Sequence, residues 1–429
     1  MPTIRPSSSN VNRTIEAVWR IESARLIAGL ARLVRDIGLA EDLAQEALVA
    51  ALEQWPESGV PDKPGAWLMG TAKHRAIDRL RRADVHERKT QELAREAEIG
   101  GQAENPDLDA EIDDPFDDDL LRLIFTTCHP VLSTDARVAL TLRLLGGLTT
   151  KEIARSYLVS ESTVAQRIVR AKRTLSAARV PFEVPERDEL PDRLASVLEA
   201  IYLIFNEGYA ATAGDDLIRP ELIEESLRLG RILAELLPSE PEVHGLVALM
   251  ELQASRSRAR IGPSGEQVLL LDQDRSRWDW VLVSRGLAAL ERAQSTRRAL
   301  GPYTLQAAIA ACHARARVAD DTDWERIVAL YDALAQLTRS PVVELNRAVA
   351  VGMAYGPEAA LELVDKLRSE PALSDYHLLP AVRGDLLEKL GRIDQARAEF
   401  ERAAALAQNS RERAVLLDRI AECSPRNGG

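Results

Sequence analysis

The stretch EIARSYLVSESTVAQRIVRAKRTL, Glu152 to Leu175, constrains the fold most, because its apolar residues recur at helical spacing on both sides of a short polar turn. Thr149 or Thr150 before the first segment and Ser160 before the second are residue types that cap helix N-termini. The second segment carries an apolar residue every three or four positions, which predicts one buried stripe. The stripe consists of Val164, Ile168, Ala171 and Leu175.

The opposite face of the second segment is polar and basic. Its members are Ser160, Ser162, Thr163, Gln166, Arg167, Arg170, Lys172 and Arg173. This is typical of a helix-turn-helix that reads DNA, with base contacts near the helix start and phosphate contacts from the later basic residues. Leu158 stands in the turn where Gly is common, and a left-handed conformation there would cost roughly 1–2 kcal/mol. The alternative is a surface helical hairpin with a basic face that binds no DNA.

Composition favours helices packed on helices, because only 4% of the 429 residues are aromatic, whereas Ala, Leu, Arg and Glu are plentiful. The formal net charge of -12 is concentrated in Glu104–Asp119 and the C-terminal region, whereas the helix-turn-helix is locally basic. The three cysteines are far apart, no signal peptide follows the first residues, and no apolar run is long enough to span a bilayer. We therefore expect a cytoplasmic protein without a membrane contact.

Two blocks resemble bacterial sigma factors of the extracytoplasmic function (ECF) type. Arg137–Leu175 resembles the promoter-reading C-terminal sigma domain, and Asp36–Pro56 with Gly65–Arg82 resembles the domain that binds core polymerase and melts the promoter. The match covers about the first 180 residues, with both blocks in the family's order. The resemblance implies two partners, core RNA polymerase and promoter DNA.

By resemblance, the helix Glu41–Trp55 binds the clamp of the polymerase, with Leu43, Ala47, Ala51 and Trp55 packed inward. Its polymerase face would be Asp42, Gln45, Glu46 and Val49. The following block would hold the melted −10 element through Trp67, Lys73, His74, Arg75, Arg79 and Arg82. His74 stands where the family commonly has Asn. The alternatives are a solvated face for the first set and a core position for Trp67.

The fold expected from these patterns is all-α, with two small helical domains, the second a helix-turn-helix, joined by an acidic linker and followed by a large helical-repeat region. In RGDLLEKLGRIDQARAEFERAAAL, Gly384, Gly391, Ala396, Phe400 and Ala403 have tetratricopeptide (TPR) spacing. We expect regulation by this region through docking or a protein or peptide partner. The predicted domains are 12–90, 91–119 (the linker), 120–180, 181–300 and 301–429.

Two polar clusters in the C-terminal half form a candidate small-molecule pocket. They contribute Asn206, Glu207, Tyr209, Asp272 and Asp274; the alternative is that these groups only end helices and hold the domain together. Cys128-His129 and Cys312-His313 lack the spacing of a metal site, and no catalytic or nucleotide-binding motif is found, so no cofactor and no enzyme activity are expected. The other functional interpretations are a stand-alone helix-turn-helix regulator and a TPR scaffold with a degenerate sigma module.

Overall fold

The computed structural model is all-α, as predicted. It describes residues 8–95, 116–157, 159–211, 217–263, 266–296 and 298–423, without the side chains of 8–10, 80, 82–95, 116 and 117. Within these residues there is no strand; an isolated antiparallel bridge joins Ile261 and Gln267. None of the described helices is long and apolar enough to cross a membrane. The chain divides into two compact units, residues 1–200 and 201–429.

Three long helices open the first unit. They are α1 (Ser8–Val34), α2 (Ile37–Ser58) and α3 (Pro64–Arg95). The Asp36 carboxylate caps α2 by accepting a hydrogen bond from the Leu39 amide at 2.7 Å. The inward residues predicted for α2, from Leu43 to Trp55, are all buried. This stripe packs α2 against α1 and α3, leaving the other side of α2 for polar groups.

Five shorter helices complete the first unit and lead into the second. They are α4 (Phe116–Thr127), α5 (Thr134–Leu144), α6 (Thr150–Ser156), α7 (Glu161–Ala177) and α8 (Leu190–Tyr209). The early part of α8 packs on the first unit, because Arg193 donates to the Phe125 carbonyl at 3.0 Å and Arg137 pairs with Glu199 at 2.9 Å. The first unit therefore extends past the predicted domain end at residue 180.

The second unit is a succession of helices that pack mainly against their neighbours in the chain. Its helices are α9 (Pro220–Leu236), α10 (Pro241–Ala254), α11 (Trp280–Ser295), α12 (Pro302–Arg315), α13 (Trp324–Thr338), α14 (Pro341–Tyr355), α15 (Pro357–Leu367), α16 (Leu378–Lys389), α17 (Ile393–Leu406) and α18 (Ser410–Glu422). Several of these helices begin with proline. Proline lacks an amide hydrogen, and at the first position of a helix that hydrogen would have no partner within the helix.

Two helices of the repeat-like C-terminus approach each other closely. A Cβ atom placed on Gly384 of α16 would lie 2.7 Å from Cε1 of Phe400 on α17. Because real Cβ atoms do not approach so closely, Gly384 lets the Phe400 ring fill the gap between the two helices. Phe400 is almost fully buried.

Candidate functional site

The helix-turn-helix forms as its sequence predicts. Thr149 caps α6 in a reciprocal arrangement, in which its hydroxyl accepts from the Glu152 amide and the Glu152 carboxylate accepts from the Thr149 amide. Ser160 caps α7, accepting from the Thr163 amide at 3.1 Å. The stripe from Val164 to Leu175 is buried. Leu158, the unusual turn residue, lies outside the described residues.

On the polar face of α7, some side chains point to solvent and others bind groups of the protein itself. Ser162, Gln166, Arg170 and Arg173 are exposed. Arg167 pairs with Asp135 of α5 at 2.9 Å. The Ser160 hydroxyl caps the N-terminus of α7. The face therefore presents a basic outer surface in which Arg170 and Arg173 have no ion pair within the described chain.

The polar face of α2 also contains both outward and internally paired side chains. Asp42 is exposed, and Val49 keeps 51% of its accessible surface. Glu46 instead forms ion pairs with Arg75 and Arg79 of α3. Here a residue predicted to meet the polymerase pairs with two residues predicted to meet the promoter.

The other predicted promoter residues of α3 have different surroundings. Trp67 is half-buried and meets the buried Trp55 edge to face, with ring centroids 5.4 Å apart. Lys73 is half-buried and His74 is exposed. The Arg82 side chain lies outside the described residues. Packing against Trp55 gives the Trp67 ring a structural role and leaves part of its surface uncovered.

A buried carboxylate that the sequence analysis missed joins α2 to the helix-turn-helix. Glu41 is only 4% exposed. Its Oε1 accepts from Arg143 Nε of α5 at 2.6 Å and from Gln45 Nε2 at 2.6 Å, and its Oε2 pairs with Lys172 of α7. A carboxylate with this burial is tolerated only because cations and donors surround it. Lys172, predicted to bind phosphate, is thus held by the first unit itself.

The acid at the end of the predicted linker also lies in the protein interior. Asp119 lies on α4, is 3% exposed, and pairs with Arg122 at 2.8 Å and Arg32 of α1 at 3.3 Å. Asp119, which the sequence places in the acidic linker, thus belongs to a helix and to the interior, where two guanidinium groups offset its desolvation. Residues 96–115 of the predicted linker lie outside the described residues.

Comparisons with known proteins agree with this geometry. The family model for sigma-70 region 2 matches residues 21–85, and that for sigma-70 region 4 matches residues 122–175. These matches cover α2 with most of α3, and the helix-turn-helix. A probable ECF RNA polymerase sigma factor, SigI, of Mycobacterium tuberculosis is 30% identical over 174 residues, which are 40% of this chain and 57% of that protein.

The chain belongs to the ECF-type sigma factor family. A probable sigma-C factor of Mycobacterium bovis is 28% identical over 174 residues, 41% of this chain and 83% of that protein. An uncharacterized protein of Rhizobium meliloti is 44% identical over 406 residues, 92% of this chain and 93% of that protein. Residues 193–294 match a family of unknown function, DUF6596. The sigma factor thus carries an extension that is shared with a full-length relative.

In the extension of this sigma factor, the five candidate pocket residues have different surroundings. Glu207 pairs with Arg219, and the Tyr209 ring lies under the Arg260 guanidinium at 4.0 Å. Asn206, Asp272 and Asp274 are exposed, and Asp274 caps a short turn by accepting from the Ser276 amide at 2.9 Å. A hydrogen bond with the Ser276 side chain, and secondarily the one from the Ser276 amide, lowers the pKa of Asp274. Of the five, Tyr209 is the residue whose ring contacts a guanidinium that has no ion pair within the described residues, that of Arg260.

The cysteines of the sigma factor are free and buried, and the described residues contain no cluster of three or more metal-ligating side chains. Burial raises the pKa of the Cys128 thiol, which lies 3.3 Å from the Thr141 hydroxyl. Such a thiol stays protonated and unreactive at neutral pH.

Proposed function

We propose that this sigma factor binds core RNA polymerase through α2 and recognises promoters through α7 and α3. In this assignment α7 reads the −35 element and α3 with its preceding loop holds the melted −10 element. One observation supports it most directly. On α7, the exposed Gln166, Arg170 and Arg173 lie opposite the buried stripe, so the helix can enter a groove without loss of its core.

The polymerase contact of this proposal uses the outward part of α2. Asp42 supplies a negative charge and Val49 an exposed apolar surface. An acidic surface complements a basic partner and accelerates association with it. The Lys172–Glu41 pair has a further consequence. Lys172 can neutralise a DNA phosphate only after its side chain leaves Glu41, and the buried carboxylate would then keep, within the described chain, only Arg143 and Gln45 as partners.

Transcription in vitro with purified core polymerase tests the assignment of α7. A promoter from upstream of the factor's own gene serves as template. Replacing both Arg170 and Arg173 by Ala removes two predicted phosphate contacts, and we expect at least about tenfold less transcript, since a hydrogen bond to a charged group contributes about 1.5–3 kcal/mol. Arg25→Ala, at an exposed position of α1, is the matched control and should leave the transcript unchanged. Wild-type output from the double variant would refute this use of α7.

We also propose that the extension regulates initiation. A chain ending after Ala200 tests this better than one ending at Ala178, because it keeps Arg193 and Glu199 in contact with the first unit. In the same transcription assay we expect a changed amount of transcript or a changed choice of promoter. Identical output and promoter choice from the shortened chain would exclude regulation by residues 201–429.

A further inference from the structure

Three arginines and a histidine converge inside the second unit. Arg256 and Arg260 follow the end of α10, Arg275 lies in a short turn before α11, and His313 lies on α12. Arg275 Nη1 donates to the Ala316 carbonyl at 2.6 Å and to the His313 carbonyl. Arg256 lies close enough to lower the pKa of Arg260 and of Arg275, beyond the larger effect of burial. We call these four residues the arginine cluster.

The arginine cluster differs from its neighbours in its lack of acidic partners. Elsewhere in the second unit, Arg231 pairs with Glu251, and Arg383 pairs with Asp365 and Glu399. No carboxylate of the described chain lies within ion-pair distance of a guanidinium of the arginine cluster. Glu412 and Asp321 act on Arg260 and Arg275 only at longer range. Excess positive charge therefore remains where water is scarce.

Aromatic rings hold the guanidinium groups instead. Arg260 lies 4.0 Å above the Tyr209 ring centroid, and Arg275 lies 4.9 Å from that of Trp278. Arg256 lies between these rings, 5.9 Å from Tyr209 and 6.0 Å from Trp278. A ring face attracts a cation but leaves its charge and most of its N–H donors available. The cluster is thus ordered without being neutralised.

Several buried nitrogens at this place have no hydrogen-bond acceptor within the described chain. They are Arg256 Nε, Arg275 Nη2, Trp278 Nε1 and His313 Nδ1. Arg275, Trp278 and His313 are each at least nine-tenths buried. A buried donor left without an acceptor costs about 1–3 kcal/mol. Donors, positive charge and aromatic faces together match a ligand that is rich in acceptor oxygens.

We propose that the arginine cluster binds a small oxyanion, a phosphate or carboxylate group of a soluble metabolite. Arg256 is the anchoring residue, because its guanidinium donates to no described protein group and lies centrally between Tyr209 and Trp278. Arg256, Arg260 and Tyr209 stay partly exposed, which leaves the cluster open to solutes. The inference is independent of the assigned roles of α2, α3 and α7, since it concerns binding to the extension alone.

Calorimetric titration of the full chain tests the site. The probes are inorganic phosphate, pyrophosphate and citrate, each compared with sodium chloride at equal ionic strength. We expect saturable binding of at least one probe and a matching rise in the melting temperature. Stronger binding of the phosphates identifies a phosphorylated ligand, and stronger binding of citrate identifies a polycarboxylate. Absence of saturable binding for all three probes would overturn the proposal.

Two neighbouring arginines allow a matched comparison. Arg256→Ala should weaken binding by at least about tenfold, the effect of losing one charge-assisted hydrogen bond. Arg258→Ala, two residues away and exposed, should bind as the wild type does. Equal weakening in both variants would show only diffuse attraction and would refute the site. Circular dichroism checks folding, and if Arg256→Ala is misfolded, Arg256→Lys decides: it keeps the charge, loses the fork of donors, and should still bind more weakly than the wild type.

Discussion

Two buried charge sites of this sigma factor, one in each unit, are arranged in opposite ways. In the first unit the buried carboxylate of Glu41 is surrounded by Arg143, Lys172 and Gln45. In the second unit the arginine cluster has rings and backbone carbonyls around it but no paired carboxylate. The first arrangement is complete without any other molecule, whereas the second retains free donors and unbalanced charge.

This difference separates a structural role from a binding role. At Glu41 every charge is paired inside the protein, and these ion pairs connect helices that are distant in sequence. A site that must accept a charged ligand keeps its own charge uncompensated, and the resulting repulsion lowers the stability of the empty protein. Variants that remove one charge from each place should therefore change stability in opposite directions.

The largest expected effect is at Glu41. Glu41→Gln leaves Arg143 and Lys172 without their carboxylate, and breaking a buried pair by removing one partner costs about 3–5 kcal/mol. Urea unfolding followed by tryptophan fluorescence should show this loss of stability. Glu57→Gln, at an exposed position of the same helix, is the control and should stay within about 0.5 kcal/mol of the wild type. Equal behaviour of the two variants would contradict the central role given to Glu41.

Acid is expected to lower the stability of the protein by a slightly smaller amount, through protonation of His313. Burial, with Arg256 and Arg275 nearby, lowers the pKa of His313 from 6.5 to about 4. The unfolded chain binds this proton at a higher pH than the folded chain does, so the contribution to stability is complete above pH 6.5 and is lost as the pH falls toward about 4. The loss amounts to about 3 kcal/mol, because one pKa unit corresponds to about 1.4 kcal/mol.

Thermal unfolding between pH 7 and pH 4 measures this loss. His313→Gln should unfold with a weaker pH dependence than the wild type, because its side chain takes up no proton. His74→Gln, at an exposed position of α3, should keep the wild-type dependence. An unchanged pH profile in His313→Gln would mean that other groups carry the acid sensitivity.

The smallest expected effect has the opposite sign. Arg256→Met keeps an unbranched apolar stem and removes one positive charge from the arginine cluster. Removal of a positive charge beside Arg260 and Arg275 relieves the repulsion between like charges, and the loss of two cation–π contacts offsets part of this gain. We expect the ligand-free protein to gain about 1 kcal/mol in urea unfolding. A loss of stability would instead make Arg256 a structural residue and end the contrast with Glu41.

Local features of this chain were predictable residue by residue. Ser160 caps α7 and the stripe from Val164 to Leu175 is buried, because both follow from helical periodicity within one segment. The α16–α17 approach at Gly384 and Phe400 also follows from a short repeat pattern. Patterns within one short segment also predict the candidate pocket residues. They do not point to the residues that form the arginine cluster.

The residues that the sequence analysis missed stand in sequence patterns that give little indication of their buried contacts. Glu41 is an acid beside the apolar positions of α2, and Arg143 is a base among the leucines of α5. Either pattern also occurs on a solvated helix edge. Arg256 and Arg260 flank Arg258, which is an ordinary exposed base. Nothing in their spacing distinguishes a clustered arginine from an exposed one.

By itself the sequence determined the helices, their caps, their apolar faces and the sigma-type order of the first two blocks, because each depends on residues a few positions apart. Only the tertiary structure decided which charges meet. Glu41 and Arg143 are 102 residues apart, and Arg275 and the His313 carbonyl are 38 apart. Burial and pairing of a charge depend on the partners that folding brings within a few ångströms, and that information is distributed over the whole chain.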